Sequence, residues 1–364
     1  MVCLIISKQQ TLSNCILVFL SIWLFCMLHN YVIIMRNSKV IKVLSVGAYG
    51  GEIMIRYSIK RLLFMIPILF AVAFVIFALM ETMPGTPATI ILGPQATQEA
   101  IDLLNEQLGH DRHFMYRFGR YMFNAIINRD LGISYVWGRP VWPDIVSRLP
   151  VTFLIAFNAM VVSSVIGIIV GVLSAVKQYS LFDKTATVIS LFLSAVPSFW
   201  LAMLLIYFFA LVVGVLPSSG AGSWRHFVMP AFSLGIPFAA WQLRYTRSAM
   251  LETIRQDYID TAYAKGVPDR YVIWRHAFKN AVLVIITITG NNFRGLIGGA
   301  VVTETIFAIP GLGSHMVSAI NRQDVPVVMG SMLVLTAMSA VIILIIDLLH
   351  ALADPRVKAR FTKR

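Results

Sequence analysis

Apolar segments of about twenty residues recur along this chain, and each is long enough to cross a bilayer. They occupy residues 62–80, 152–176, 185–216, 227–249, 282–302 and 327–353, with a further one at 15–35. Inside lipid a lone segment must satisfy its own backbone N–H and C=O groups, which confines such runs to helices. The expected fold class is therefore an all-α integral membrane protein with six core spans. Composition agrees: 58% of the 364 residues are apolar and 13% charged, against roughly 25% charged in a soluble domain.

The formal net charge of +13 could point to nucleic acid, but the cations sit beside the spans. Lys and Arg populate 36–61, 177–184, 244–279 and 354–364, whereas the two short loops between them carry only Arg225 and Arg322. This is the positive-inside pattern: it places both ends of the six-span core in the cytoplasm, makes the lipid bilayer the partner and excludes nucleic acid. Cys3, Cys15 and Cys26 all lie near the N-terminus, so neither a disulfide framework nor a thiolate metal site is expected.

Between the first two core spans, residues 84–150 read as a folded external segment. Met83-Pro-Gly-Thr-Pro87 breaks the first span, Thr97 caps a helix reaching Leu108, and Trp137 and Trp142 suit the outer interface. Gly167 and Gly171 stand at the small-xxx-small spacing of closely packed helices. Pro197 and Ser198 lie inside the third segment, and Pro230, Gly235 and Pro237 interrupt the fourth. A mid-span proline removes a backbone hydrogen bond and kinks its helix. The kinks at Pro197–Ser198 and Pro237 serve either packing geometry or a transport pathway. Asp347 is an intramembrane charge that must face protein or water; it either lines the pathway or lies close to the inner interface. Residues 303–326 are expected as an outer re-entrant or surface segment, with Glu81 and Glu304 wet at the outer ends.

Residues 257–281, DYIDTAYAKGVPDRYVIWRHAFKNA, are the longest polar run between two apolar segments. Asp257 and Asp260 open a short helix at the positive end of its dipole. Tyr258, Ile259, Ala262 and Tyr263 form one apolar stripe. Lys265 closes the last turn, Gly266 stops the helix, and Pro268 starts the next. The expectation is helix, break, helix on the inner membrane surface: either an interfacial helix resting in headgroups or one that docks on a partner.

The string from Asp260-Thr261-Ala262 to Gly266 resembles the EAA-x-x-x-G loop of bacterial ABC-transporter permeases, with Asp and Thr in the first two places. RQDYIDTAYAKG…RHAFKNA, LGHDRHFMYRFGRY, GRPVWPDIVSRLPVT, ETIFAIPGLG and DLLHALADPR resemble the dipeptide/oligopeptide branch in order and spacing, over roughly residues 54–356. The resemblance implies a six-helix, MetI-like permease of a type I importer. It makes 250–280 a cytoplasmic coupling loop in which Asp257, Asp260, Thr261, Ala262, Lys265 and Gly266 meet an ATPase. It also implies a second homologous permease, two cytoplasmic ATPase subunits and a periplasmic solute-binding protein, in a bacterial inner membrane. The expected cargo is a di- or oligopeptide; nickel, glutathione or another small solute is the alternative.

Chemistry of its own is not expected of this chain. There is no G-x-x-x-x-G-K-[ST] and no Gly-Lys pair, so nucleotide phosphates cannot be cradled in the P-loop manner. No cofactor, metal or catalytic residue is anticipated: His110 and His113 lack further ligands, and Gly311-Leu-Gly-Ser314-His315 reads as turn glycines rather than a protease nucleophile. A secondary transporter would need ion-coupling residues near the midplane, where the spans are poor in them. Residues 1–53 contain all three cysteines and no alanine before Ala48. We expect this extension to be dispensable, with translation starting at Met54; the rival is a genuine extra span at 15–35.

Overall fold

The computed structural model describes residues 50–353, so the 15–35 segment and the C-terminal basic cluster lie outside the described residues. Helices account for nearly all regular structure among them, and one isolated bridge joins Ile133 and Pro140. In chain order the helices are α1 (Gly50–Glu81), α2 (Pro87–Leu92), α3 (Gln98–Leu108), α4 (Phe114–Phe123), α5 (Val141–Val176), α6 (Leu181–Ala195), α7 (Ser198–Leu205), α8 (Val228–Ile254), α9 (Asp257–Ala264), α10 (Asp269–Ile306), α11 (Leu312–Asn321) and α12 (Val325–Ala353). π-Turns extend α4 and α7 and form the Val272–Ala277 stretch of α10.

All six expected core segments fall in these helices. Among the described residues, α1, α5, α10 and α12 are long and apolar enough to span a membrane by composition alone. A fifth span is the bent pair of α6 with α7 and its extension, which turns through 98°. The break falls at Val196–Pro197, where the chain is extended rather than helical. The sixth, α8, does not reach that standard because it carries Gln242, Arg244, Arg247 and Glu252. Packing explains its polarity: α8 has α5, α6, α7 and α10 around it, and Gln242 and Thr246 are fully buried.

α5 and α8 make the most extensive contact in the molecule. A Cβ on Gly167 would lie 2.5 Å from the Gln242 side chain, and one on Gly171 would lie 2.8 Å from the Leu243 carbonyl. Any larger residue would push the two backbones apart. Contrary to the sequence expectation, α8 is not interrupted: it runs through Gly235 and Pro237. Its tight neighbours hold the proline turn in place, as they can in a bundle.

The largest apolar core sits in the outer half. It joins α1, α4, α5, α10 and α12 to the segment after α10. That segment is not a surface loop, since Phe307, Ile309, Leu312 and Ala319 are all buried. Nor is Glu304 wet; it is wholly buried. Its carboxylate accepts from the Ser314 N–H at 2.8 Å, while Thr152 Oγ1 accepts from the Leu312 N–H at 2.8 Å. The start of α11 thus has acceptors for two of its orphan donors. Asp324, also buried, receives the Tyr135 and Val136 amides and the Ser134 hydroxyl, locking the external segment onto the start of α12. His315 lies against Trp137 with ring centroids 4.8 Å apart and planes tilted by 31°, and faces Asp144 at 3.5 Å. Burial first, then the Arg148 cation, holds its pKa below the ordinary 6.5.

Two outcomes follow. Asp183 at the start of α6 takes a two-pronged bond from Arg247 of α8, at 2.6 and 2.7 Å, plus the Ser174 hydroxyl and the Tyr179 N–H. Asp183→Ala leaves Arg247 without this partner and should lower unfolding stability by about 3 kcal/mol, measured by denaturant titration in detergent; adding Arg247→Met should recover much of it. For His315, the unfolded chain takes up a proton that the folded chain resists. Stability should therefore be full above about pH 6.5 and fall below it. His315→Gln should flatten that part of the pH–stability curve.

Candidate functional site

The residues read from the sequence as a coupling element form one compact unit at the inner end. Gln256 is extended, and α9 begins at Asp257 with both Asp257 and Asp260 in its first turn, where carboxylates favour the exposed N–H groups. Eight residues later the helix stops. Lys265 N–H bonds the Thr261 carbonyl, and Gly266 N–H bonds the Tyr263 carbonyl at 2.9 Å. Val267 N–H closes back on the Ala262 carbonyl at 3.3 Å. Gly266 has φ +76°, the left-handed stop that glycine adopts without strain. Pro268 then caps α10.

Where the sequence suggests a single apolar stripe, the structure divides it. Ile259 and Ala262 are buried at 1% and 8% exposure, in a cluster with Val172 and Ala175 of α5, Ala249 and Met250 of α8, and Val272, Ala277, Ala281 and Ile285 of α10. Tyr258 and Tyr263 instead point outward, each more than two-fifths exposed. The four residues stand at i, i+1, i+4 and i+5, an arc of about 140° at 100° per residue, with Ala262 and Ile259 in its middle and the two tyrosines at its edges, so a bundle that meets one side buries only the middle pair. Asp257, Asp260, Thr261, Lys265 and Gly266 are likewise exposed. Thr261 Oγ1 bonds its own helix at the Asp257 carbonyl, 2.9 Å away. Asn280 of α10 donates to the Tyr258 hydroxyl at 3.0 Å, pinning α9 to the root of the following span. α9 is thus bolted to three spans by one face and offers two tyrosines, two carboxylates and a lysine on the other.

The pathway candidates are not gathered in one place. Pro197 is exposed at the 98° bend and Ser198 opens α7 half-buried. Pro237 is half-buried within α8. Asp347 forms an ion pair with Arg61, joining α12 to α1. Polar residues within the spans that the sequence reading passed over prove to meet: Asn292 of α10 donates to Gln242 of α8 at 3.0 Å, and Gln242 lies 3.5 Å from Thr246. Their signal was visible as amides inside apolar runs. The Asp183–Arg247 clamp left no such signal, because Asp183 follows Lys177 and precedes Lys184 and reads as ordinary inner-loop charge.

No group of three or more metal-ligating side chains is found among the described residues. His113 caps α4, while His110 contacts the Arg117 guanidinium at 2.8 Å and its pKa is lowered, first by burial. Ser314 Oγ donates to the Ile309 and Gly311 carbonyls at 2.7 and 3.1 Å. Its proton is engaged with backbone, and His315 turns to Trp137 and Asp144, which is not a nucleophile–base arrangement.

Gly266 provides a test of the stop. Nothing lies within 4 Å of a Cβ placed there, so a substitution strains only the backbone, by roughly 1–2 kcal/mol. Gly266→Val should leave the bundle folded, with its melting in detergent little changed, but displace the end of α9 and so abolish the slow amide hydrogen exchange of Lys265–Val267. Gly266→Asn, tolerated at this φ, should restore most of it.

Residues 164–359 match a family profile described as "Binding-protein-dependent transport system inner membrane component", and residues 54–156 match "Binding-prot-dependent transport system membrane comp, N-term". The chain is 36% identical over 305 residues to proteins from Escherichia coli and Shigella dysenteriae named "Glutathione transport system permease protein GsiC", an alignment covering 84% of this chain and 99% of each relative. A solved chain of the MetNI methionine ABC transporter in an inward-facing conformation is similar at 20% identity and TM-score 0.49, over 58% of this chain and 96% of that one.

Proposed function

The chain belongs to the family of binding-protein-dependent transport system inner membrane components, and from that premise we propose that it imports a short peptide of glutathione's size. It is a multi-pass membrane permease subunit of an ABC importer. The cargo arrives on an external binding protein, crosses between this subunit and a second permease in a bacterial inner membrane, and is driven by ATP hydrolysed on two separate cytoplasmic subunits.

The observation that carries this reading is the two-faced α9. Its outward face, with Tyr258, Tyr263 and Lys265, is shaped to sit in a cleft of an ATPase. Its inward face is continuous with the apolar cluster of α5, α8 and α10. Movement imposed on α9 by closing ATPase subunits therefore passes directly to three spans, and these rock between inward- and outward-open arrangements. The Pro197–Ser198 bend and Pro237 lie on segments of the bundle that can shape the pathway during that motion. The cargo assignment leans on the glutathione transport permeases named above, which favour a tripeptide-sized solute over nickel.

Reconstitution with the two ATPases, the second permease and the binding protein tests this. Uptake of radiolabelled glutathione or a dipeptide should require all components and ATP, with labelled nickel not accumulated. The purified chain should show no ATP hydrolysis; hydrolysis by a preparation proven free of ATPase subunits, or uptake driven by an ion gradient alone, would overturn the reading.

A further inference from the structure

α1 sets a depth scale for the segment that follows it. Arg61 pairs with Asp347 of α12 at the inner end. From there the apolar run 62–80 rises about 28 Å at 1.5 Å per residue, which matches a hydrocarbon core of about 30 Å. Glu81 therefore stands at the outer boundary, and Phe74 lies about 10 Å inside it.

α4 packs at that inner level, although it belongs to the segment between the first two spans. Its Phe114 ring lies 5.7 and 5.3 Å from the rings of Phe74 and Phe77. Its Phe118 ring lies 5.1, 5.3 and 5.6 Å from those of Phe70, Phe74 and Phe77. Side chains lean toward the N-terminus of their helix, which for α1 is the inner end, so these contacts are no shallower than the α1 backbone. Further in, α1 leaves Leu63, Phe64 and Ile66 exposed. Beside α4, Val72, Ala73, Ile76 and Phe77 are buried in the core that Phe118 and Met122 join. α4 thus stands between the outer half of α1 and whatever surrounds the bundle.

The far side of α4 is apolar too. Met115, Tyr116 and Phe123, with Ile126 and Ile127 of the π-turn extension, are all more than half exposed. The two cations of the helix, Arg117 and Arg120, share a narrow strip between the two apolar faces, and both reach outward. Arg117 pairs with Glu81 and donates to the Arg112 carbonyl at 3.0 Å. The Arg120 guanidinium lies 3.3 Å from where a Cβ on Gly109 would stand. Long basic side chains at a membrane boundary bury their stems and turn their heads to water in this way. Past the extension, Arg129 takes φ +53°. The chain then returns to the outer end of α12, where Ser134, Tyr135 and Val136 meet Asp324.

We propose that α4 and its extension form a re-entrant element within the outer leaflet, with Met115, Tyr116, Phe123, Ile126 and Ile127 against lipid acyl chains. A helix apolar on two sides, with one basic strip turned to the headgroups, suits that position and not an aqueous one. The element anchors the external segment at a fixed depth beside α1. The inference rests on the membrane-spanning helices and is independent of the cargo and of the ATPase subunits.

The test uses the full chain with Cys3, Cys15 and Cys26 replaced by serine, reconstituted in lipid vesicles. Met115→Cys, Phe123→Cys and Ile127→Cys each carry a nitroxide spin label, and Glu99→Cys, on the exposed face of α3, is the aqueous reference. Power saturation measures collisions with oxygen, which partitions into lipid, and with a water-soluble nickel chelate. At the three α4 positions the oxygen-to-nickel ratio should exceed that at position 99 by at least about fivefold. Melting of each variant in detergent, compared with the cysteine-free parent, is the control for folding, and three positions guard against the loss of one. Nickel collisions as frequent as at position 99 would overturn the proposal by placing α4 in water. Infrequent collisions with both relaxants would also overturn it, since a second copy of the chain would then cover the face.

Discussion

The buried cluster at the inner end is the contact on which the rest of the structure depends. Ile259 and Ala262 of α9 join Val172, Ala175, Ala249, Met250, Val272, Ala277, Ala281 and Ile285, so one patch of apolar surface couples a cytoplasmic helix to three spans. Small residues dominate this list. Alanines at helix crossings bring backbones close and leave little slack, which in the function we propose lets α9 pass on a displacement rather than absorb it. The Asp183–Arg247 clamp performs the same service one turn away by fixing the α5–α6 turn to α8.

At the outer end the molecule relies on polar closure instead. Glu304 and Asp324 are fully buried, and each accepts from the segment it restrains: Glu304 from the Ser314 N–H, Asp324 from the Tyr135 and Val136 amides and the Ser134 hydroxyl. Burying a carboxylate without such donors would be prohibitive, so these residues specify where the chain after α10 and the loop at 134–136 must lie. Gly311 and Gly313 are part of the same arrangement. A Cβ on Gly313 would come within 2.6 Å of the Val301 backbone, and one on Gly311 would meet the Glu304 carboxylate. The outer layer is therefore a rigid cap over the spans, while the 98° bend between α6 and α7 is the least regular part of the bundle.

An importer subunit has to be stiff where force enters and adaptable where cargo passes. In the function we propose, α9 meets the first requirement through its buried face. In the function we propose, the second falls to the half-buried positions on α7 and α8 and to the Gln242–Asn292 pair, whose amides bring no charge into the bundle. α10 joins the two ends, since it carries Val272, Ala277, Ala281 and Ile285 of the apolar cluster, Asn292 and Glu304 along a single continuous helix.

Much of this was legible in the sequence. Segment length and hydropathy determined the spans because lipid leaves the backbone no alternative to helix. The lysine and arginine distribution is the basis of the expected orientation, and Asp257, Gly266 and Pro268 determined where α9 starts and stops, because capping and left-handed φ are local properties of those residue types. What the sequence could not determine was which side of an element finds a partner. Tyr258 and Ile259 are adjacent members of the one stripe read from the sequence, but only the placement of α5, α8 and α10 decides that Ile259 is buried and Tyr258 exposed. Glu304 reads as a wet residue at a span's end until the fold of 307–321 covers it. Asp183 and Arg247 are 64 positions apart and look like unrelated inner charges. Burial and pairing are set by non-local packing, and that information exists only in the tertiary structure.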